Sequence, residues 1–151
     1  MSNIELVWDA AQSRGDWAVK GGRLATGNLL KPAVLLSLFT DRVAQADFKA
    51  EDGDRRGWWH DTLDGVPIGS RLWQLRRRKI ANRRLLIAEA TDILREALEW
   101  LIKAGIVSSV DVAVSAPPAG PKGSGTMLQF AITLHMPGGH APIVRALWRS
   151  V

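Results

Sequence analysis

Six carboxylates crowd one stretch of this 151-residue chain: Asp47, Glu51, Asp52, Asp54, Asp61 and Asp64. A carboxylate pair cleaves glycosidic bonds when an apolar pocket encloses one member and the other stays solvated. The adjacent Trp58 and Trp59, within GDRRGWWHDTLDG at 53–65, could supply the wall of such a pocket. The rest of the stretch is polar and punctuated by glycine, where acidic residues are ordinary solvated loop surface. His60, His135 and His140 show no metal-ligand spacing. There is no Gly-x-Ser-x-Gly elbow, no phosphate loop and no dinucleotide fingerprint. The glycine-rich segment at 120–125 opens no helix, so it lacks the helix N-terminus on which phosphate cradles depend. Zero cysteines exclude disulfides, Cys-zinc sites and thiol nucleophiles. These residues imply a chain that is not an enzyme and carries no metal or cofactor, with a cell-wall hydrolase as the remaining enzymatic alternative.

The basic residues say more. Arg71, Arg76, Arg77, Arg78, Lys79, Arg83 and Arg84 follow one another with no acid between them. On a helix, Leu72, Trp73 and Leu75 would turn inward and the arginines outward, their stems lying along the apolar surface. Like charges this dense repel, and an acidic partner relieves them. Arginine outnumbers lysine here, which suits planar contacts with carboxylates. Nucleic acid is the alternative partner for this face, although tyrosine is absent and Trp58 and Trp59 are consecutive, a poor stacking platform for single strands. Arg55, Arg56, Trp58 and Trp59 form a second candidate contact, because tryptophan and arginine predominate at interface hot spots. Either one indole anchors the loop while the other meets a partner, or both pin the loop onto the helix near Trp73.

The elements that position these residues read as α+β. Ile4–Trp8, Trp17–Val19 and Leu24–Ala25 are short strands of a small meander, with a tight turn at Lys20-Gly21-Gly22-Arg23. A nearly all-apolar helix over 29–39 calls for burial on more than one side. Residues 43–69 form a long irregular loop. Ser70 caps a second helix over 71–79, and Asn82 a third over 83–103 that stops at Gly105. In the third helix Leu86, Ala90, Ile93, Ala97 and Leu101 recur at helical spacing, flanked by Leu94 and Leu98, and make the inward stripe. Val110, Val112 and Val114 alternate with polar residues, as do alternate residues from Leu128 to Met136, giving an antiparallel hairpin with a flexible tip at 116–125. The tail at 137–151 is apolar enough to dock on something. A two-stranded hairpin leaves open edges, which nominates Ala131 and Thr133 as main-chain contacts for an incoming strand.

Length and composition agree with one soluble domain over 1–151. Hydrophobic residues make up 46% of the chain and charged ones 23%, and 20 Lys and Arg against 15 Asp and Glu leave a net charge of +5. No apolar run reaches the roughly 20 residues of a membrane span, and Met1–Glu5 lacks the basic and apolar regions of a signal peptide.

Six segments in this order, LVWD, GGRLAT, AVLLSLFTDRVA, GDRRGWW, IGSRLWQLRRRK and ALEWLIKAGIV, span most of residues 5–107. Together they resemble the baseplate protein family named for gene product 46 of phage Mu, itself similar to the small wedge subunit of T-even phage baseplates and of type VI secretion systems. The resemblance implies a structural subunit of a contractile tail, resident in the virion baseplate and assembled in the bacterial cytoplasm. Its implied partners are the large baseplate wedge proteins and the tail sheath protein, with tail tube or spike-hub proteins as further neighbours and neither membrane nor nucleic acid. The Glu-Pro-Arg signature of the type VI relatives is absent, Thr40-Asp41-Arg42 standing in the similar region, so its role is carried onto no residue here.

Overall fold

A computed structural model of the chain describes residues 3–4, 6–9, 14–24, 26–27, 30–49, 53–58, 67–77, 82–117 and 127–149. The N-terminal part is a set of short antiparallel ladders. β1 (Asn3–Ile4) pairs with β6 (Thr26–Gly27), β2 (Leu6–Asp9) with β3 (Arg14–Trp17), and β4 (Val19–Lys20) with β5 (Arg23–Leu24). The last of these closes through Gly21 and Gly22, both at positive φ, as a two-residue hairpin turn requires.

Among the described residues three helices follow. α1 (Leu30–Phe39) buries Val34, Leu35, Ser37 and Leu38. Leu36 remains 59% exposed, so one face of this largely apolar helix stays open. The buried Ser37 is satisfied twice: its hydroxyl donates to the Ala33 carbonyl at 2.8 Å and accepts from the Trp100 indole at 2.9 Å. α2 (Leu72–Arg77) is short and buries Leu72, Trp73, Gln74 and Leu75 in succession. α3 (Arg83–Lys103) starts at Asn82, whose side chain accepts from the backbone N–H of Arg84 and Leu85. Its periodic apolar stripe is the side that is buried. Asn82 is itself extended, so α3 begins there.

The C-terminal part departs from the hairpin expected. It is a three-stranded antiparallel sheet in the order β7 (Ser109–Ser115), β8 (Met127–His135), β9 (Ile143–Arg149). The stretch read as a docking tail supplies β9. Val112, Ile132 and Val144 lie abreast on the inner face, as do Phe130 and Ala146. α3 covers β7 and α1 approaches β9. One core therefore joins α1, α2, α3 and the inner face of the sheet, with Phe130, Leu94, Leu98, Leu101 and Leu134 at its centre. The expected hairpin tip is described only at Ala116, which is buried, and Pro117; positions 118–126 lie outside the described residues.

This topology corrects the expectation for Ala131 and Thr133. Both sit in β8, the central strand, paired on each side. The Leu134 N–H donates to the Pro142 carbonyl and the Met136 N–H to that of His140. Antiparallel pairs alternate between bonded and non-bonded, so the even-numbered residues of β8 bond β9 and the odd-numbered ones bond β7. The N–H groups of Ala131 and Thr133 thus belong to the β7 ladder and meet no open edge. By the same alternation, the main-chain groups of Ile143 and Arg145 point away from β8. No described strand pairs with β9 on that side.

Candidate partner-binding surfaces

The segment IGSRLW builds a structural hub. Ser70 forms a parallel bridge with Asp41: its N–H donates to the Thr40 carbonyl at 2.9 Å, and its own carbonyl accepts from the Arg42 N–H at 3.0 Å. Its buried hydroxyl donates to the Leu38 carbonyl at the end of α1 and accepts from the Leu72 N–H. Gly69 has φ +100°, and a Cβ there would stand 2.3 Å from the Thr40 oxygen. Only glycine lets the two backbones approach this closely. The Trp73 indole donates to the Arg42 carbonyl at 2.9 Å.

Arg71 belongs to this hub and does not radiate outward with the other arginines. Its Nη1 lies 2.6 and 2.7 Å from the two Glu96 carboxylate oxygens, and its Nε donates to the Val43 carbonyl at 3.1 Å. Its side chain is 13% exposed. Arg71 therefore clamps the loop after α1 onto α3, which corrects its assignment to a partner contact. The acid that balances it comes from 25 residues away in the chain.

Arg55 and Arg56 also serve the fold. The Arg55 Nη2 donates to the carbonyls of Ala44 and Gln45, while its own carbonyl accepts from the Ala44 N–H. Arg56 pairs with Asp41 and with Asp54, and its guanidinium carbon lies 5.2 Å from the Trp73 ring centroid. Phe48 meets the same Trp73 edge-on at 5.4 Å. The irregular loop is thereby folded back onto α2 near Trp73, with Phe48 and Arg56 as the pins. Trp58 is half-buried, and Trp59 lies outside the described residues.

The remaining basic residues are spread over two places. Arg76 is exposed, its guanidinium carbon 5.5 Å from the Trp148 ring centroid. Arg83 and Arg84 stand exposed on the first turn of α3, which holds no acid. Positive charge there opposes the helix dipole at a cost of about 0.3–1 kcal/mol each. Arg77 ends α2; its side chain, and the positions of Arg78 and Lys79, lie outside the described residues.

The outer face of the sheet is the other open surface. Ala113, Ala131 and Arg145 lie abreast across the three strands. The two alanines leave a trough of about 550 Å3 that Ser115, Gln129 and Leu147 also line. His135 pairs with Asp111 at 2.7 Å on the same face. Asp54, the described carboxylate nearest the tryptophan pair, is exposed and ion-paired, the opposite of the apolar enclosure that a general acid needs. Among the described residues no group of three or more His, Cys, Asp or Glu could hold a metal ion, and no helix is long and apolar enough to cross a membrane.

Trp73 was expected to turn inward and to anchor the loop, whereas Gly69, Glu96, Arg145 and Trp148 were not singled out as organisers of these surfaces. Ser70, read as a helix cap, was the one signal beside Gly69.

Residues 30–141 match the model of the family described as phage protein GP46. The baseplate protein gp46 of Escherichia phage Mu is 43% identical over 114 residues, covering 74% of this chain and 76% of that protein. The Mu-like prophage FluMu protein gp46 of Haemophilus influenzae is 33% identical over 118 residues, 78% of each chain. The family match includes the hub, α3, β7 and β8, and ends just before β9.

Proposed function

This chain belongs to the GP46 family of phage proteins, and from that membership we propose that it is a structural, non-catalytic subunit of a phage tail baseplate. The single observation that carries the reading is the 43% identity, over most of both chains, to a relative named as a baseplate protein. The chain binds neighbouring wedge proteins, helps start the sheath, and takes its place in the virion after assembly in the host cytoplasm. The physical features agree with an assembly role. Buried carboxylate pairs are missing among the described residues. Arg83 and Arg84 sit where their charge is unfavourable to the free chain, and β9 presents main-chain donors and acceptors at a sheet edge. An edge of this kind accepts a strand from a neighbour, each added main-chain bond contributing about 0.5–1.5 kcal/mol net.

The test is rescue of a phage whose own GP46-family gene is disrupted. Supplying this chain should restore tails with baseplates and sheaths in negative-stain micrographs. The Arg145→Pro variant, which removes a donor on the open side of β9, should fold and yet leave tails unsheathed. Ala131→Pro should disrupt the β7–β8 ladder and lower stability itself. Rescue by Arg145→Pro equal to the natural sequence removes the edge from the reading. Failure of the natural chain to enter particles removes the baseplate role.

A further inference from the structure

Between the end of α1, α2 and the end of β9 lies a cleft of about 200 Å3. Two of its walls are the tryptophans Trp73 and Trp148, each covered by an arginine, Arg56 on the first and Arg76 on the second. The two arginines differ in one respect. Arg56 is already balanced by Asp41 and Asp54, whereas Arg76 makes no ion pair among the described residues. An arginine held over an indole face keeps its edge N–H donors available. That is the geometry that takes a carboxylate through two parallel hydrogen bonds.

The cleft also limits what it can hold. It is smaller than the roughly 300–1,000 Å3 of small-molecule sites, so it has room for one side chain. Asp41 stands in its lining, and a nucleic-acid strand would bring a succession of negative charges against it. A lone carboxylate meets Arg76 and no second anion of its own. Leu147 lines both this cleft and the trough on the outer face of the sheet, so the two depressions adjoin.

We propose that this cleft receives the carboxylate of an aspartate or glutamate carried on a neighbouring protein, with Arg76 as its counter-ion. That the neighbour is a baseplate or sheath component rests on the function proposed above; the chemistry of the occupant rests on the cleft alone.

The experiment is a titration of the isotopically labelled full chain with a blocked Thr-Val-Glu-Val-Thr-Val peptide and its glutamine twin. It follows the indole N–H of Trp148 and the guanidinium Nε–H of Arg76 by NMR. The glutamate peptide should move both signals, and the twin should need about a tenfold higher concentration for the same shift. Arg76→Gln should abolish that preference, Arg76→Lys should retain part of it, and Arg83→Gln should leave it intact. Equal response to the two peptides, no response to either, or a preference that survives Arg76→Gln overturns the proposal. So does a single-stranded oligothymidylate that moves the same signals at lower concentration than the glutamate peptide. The titration uses the isolated chain, so its failure leaves the rescue experiment standing. A failed rescue beside an intact peptide preference would remove the baseplate neighbour and keep the cleft.

Discussion

Replacing Gly69 with alanine separates two costs that glycine avoids. At φ +100° an L-residue is strained, by about 1–3 kcal/mol. The new Cβ also falls 2.3 Å from the Thr40 carbonyl oxygen and 2.8 Å from its carbon, both backbone atoms. The backbones must separate, and the hydrogen bonds joining Ser70 to Thr40 and Arg42 are the first casualties. Two such bonds contribute about 0.5–1.5 kcal/mol each. The expected loss is about 2–6 kcal/mol, a fall in Tm of roughly 5–20 °C for a chain of this size. Gly105→Ala is the control. Gly105 also has positive φ, +69°, but a Cβ there meets nothing within 4 Å, so only the conformational cost of about 1–2 kcal/mol applies. Thermal and urea unfolding of both variants, followed by circular dichroism, gives the comparison. Equal destabilisation of the two would refute the close-approach account and with it the structural reading of IGSR.

Three further outcomes are expected. Arg71→Ala should destabilise by about 2 kcal/mol in urea unfolding, because it leaves Glu96 partly shielded without its partner; Arg71→Lys should recover only part, since lysine cannot hold Glu96 and the Val43 carbonyl together. Arg83→Glu should raise the stability of the free chain by about 0.3–1 kcal/mol, by reversing the charge at the start of α3, while lowering its incorporation into tails; a gain in both would detach this face from assembly. The purified chain should leave peptidoglycan turbidity unchanged, and clearance that disappeared in Asp54→Asn would reinstate a hydrolase.

What could be read in the sequence depended on how local the deciding physics was. α3 was legible at both ends because Asn82, the 3.6-residue apolar period and Gly105 all lie within one segment. The β4–β5 turn was legible for the same reason, through Gly21 and Gly22. β9 was not, because Ile143 and Leu147 put apolar side chains on its outer face and blurred the alternation that Val144, Ala146 and Trp148 set on the inner one. Missing β9 turned β8 into an apparent edge and misplaced Ala131 and Thr133. Arg71 was misread because its partner Glu96 lies on another helix, and a run of like charges shows nothing of distant acids. The tryptophan pair drew the eye to the loop, whereas the indoles that organise the candidate surfaces are Trp73 and Trp148, far apart in the chain and each in an unremarkable context.

The strand order carries a consequence for timing. β9 is made after β7 and β8, at a translation rate of about 5–20 residues per second. Until Ile143–Arg149 leave the ribosome, the nascent sheet lacks the strand whose outer side and Trp148 form the proposed contact. In that interval β8 holds the exposed rim, with the N–H groups of Phe130, Ile132 and Leu134 awaiting β9. A chain caught there can pair with the wrong neighbour but cannot offer the proposed mature contact. If the proposed contact is the one used in assembly, synthesis order withholds it until the core beneath it is complete.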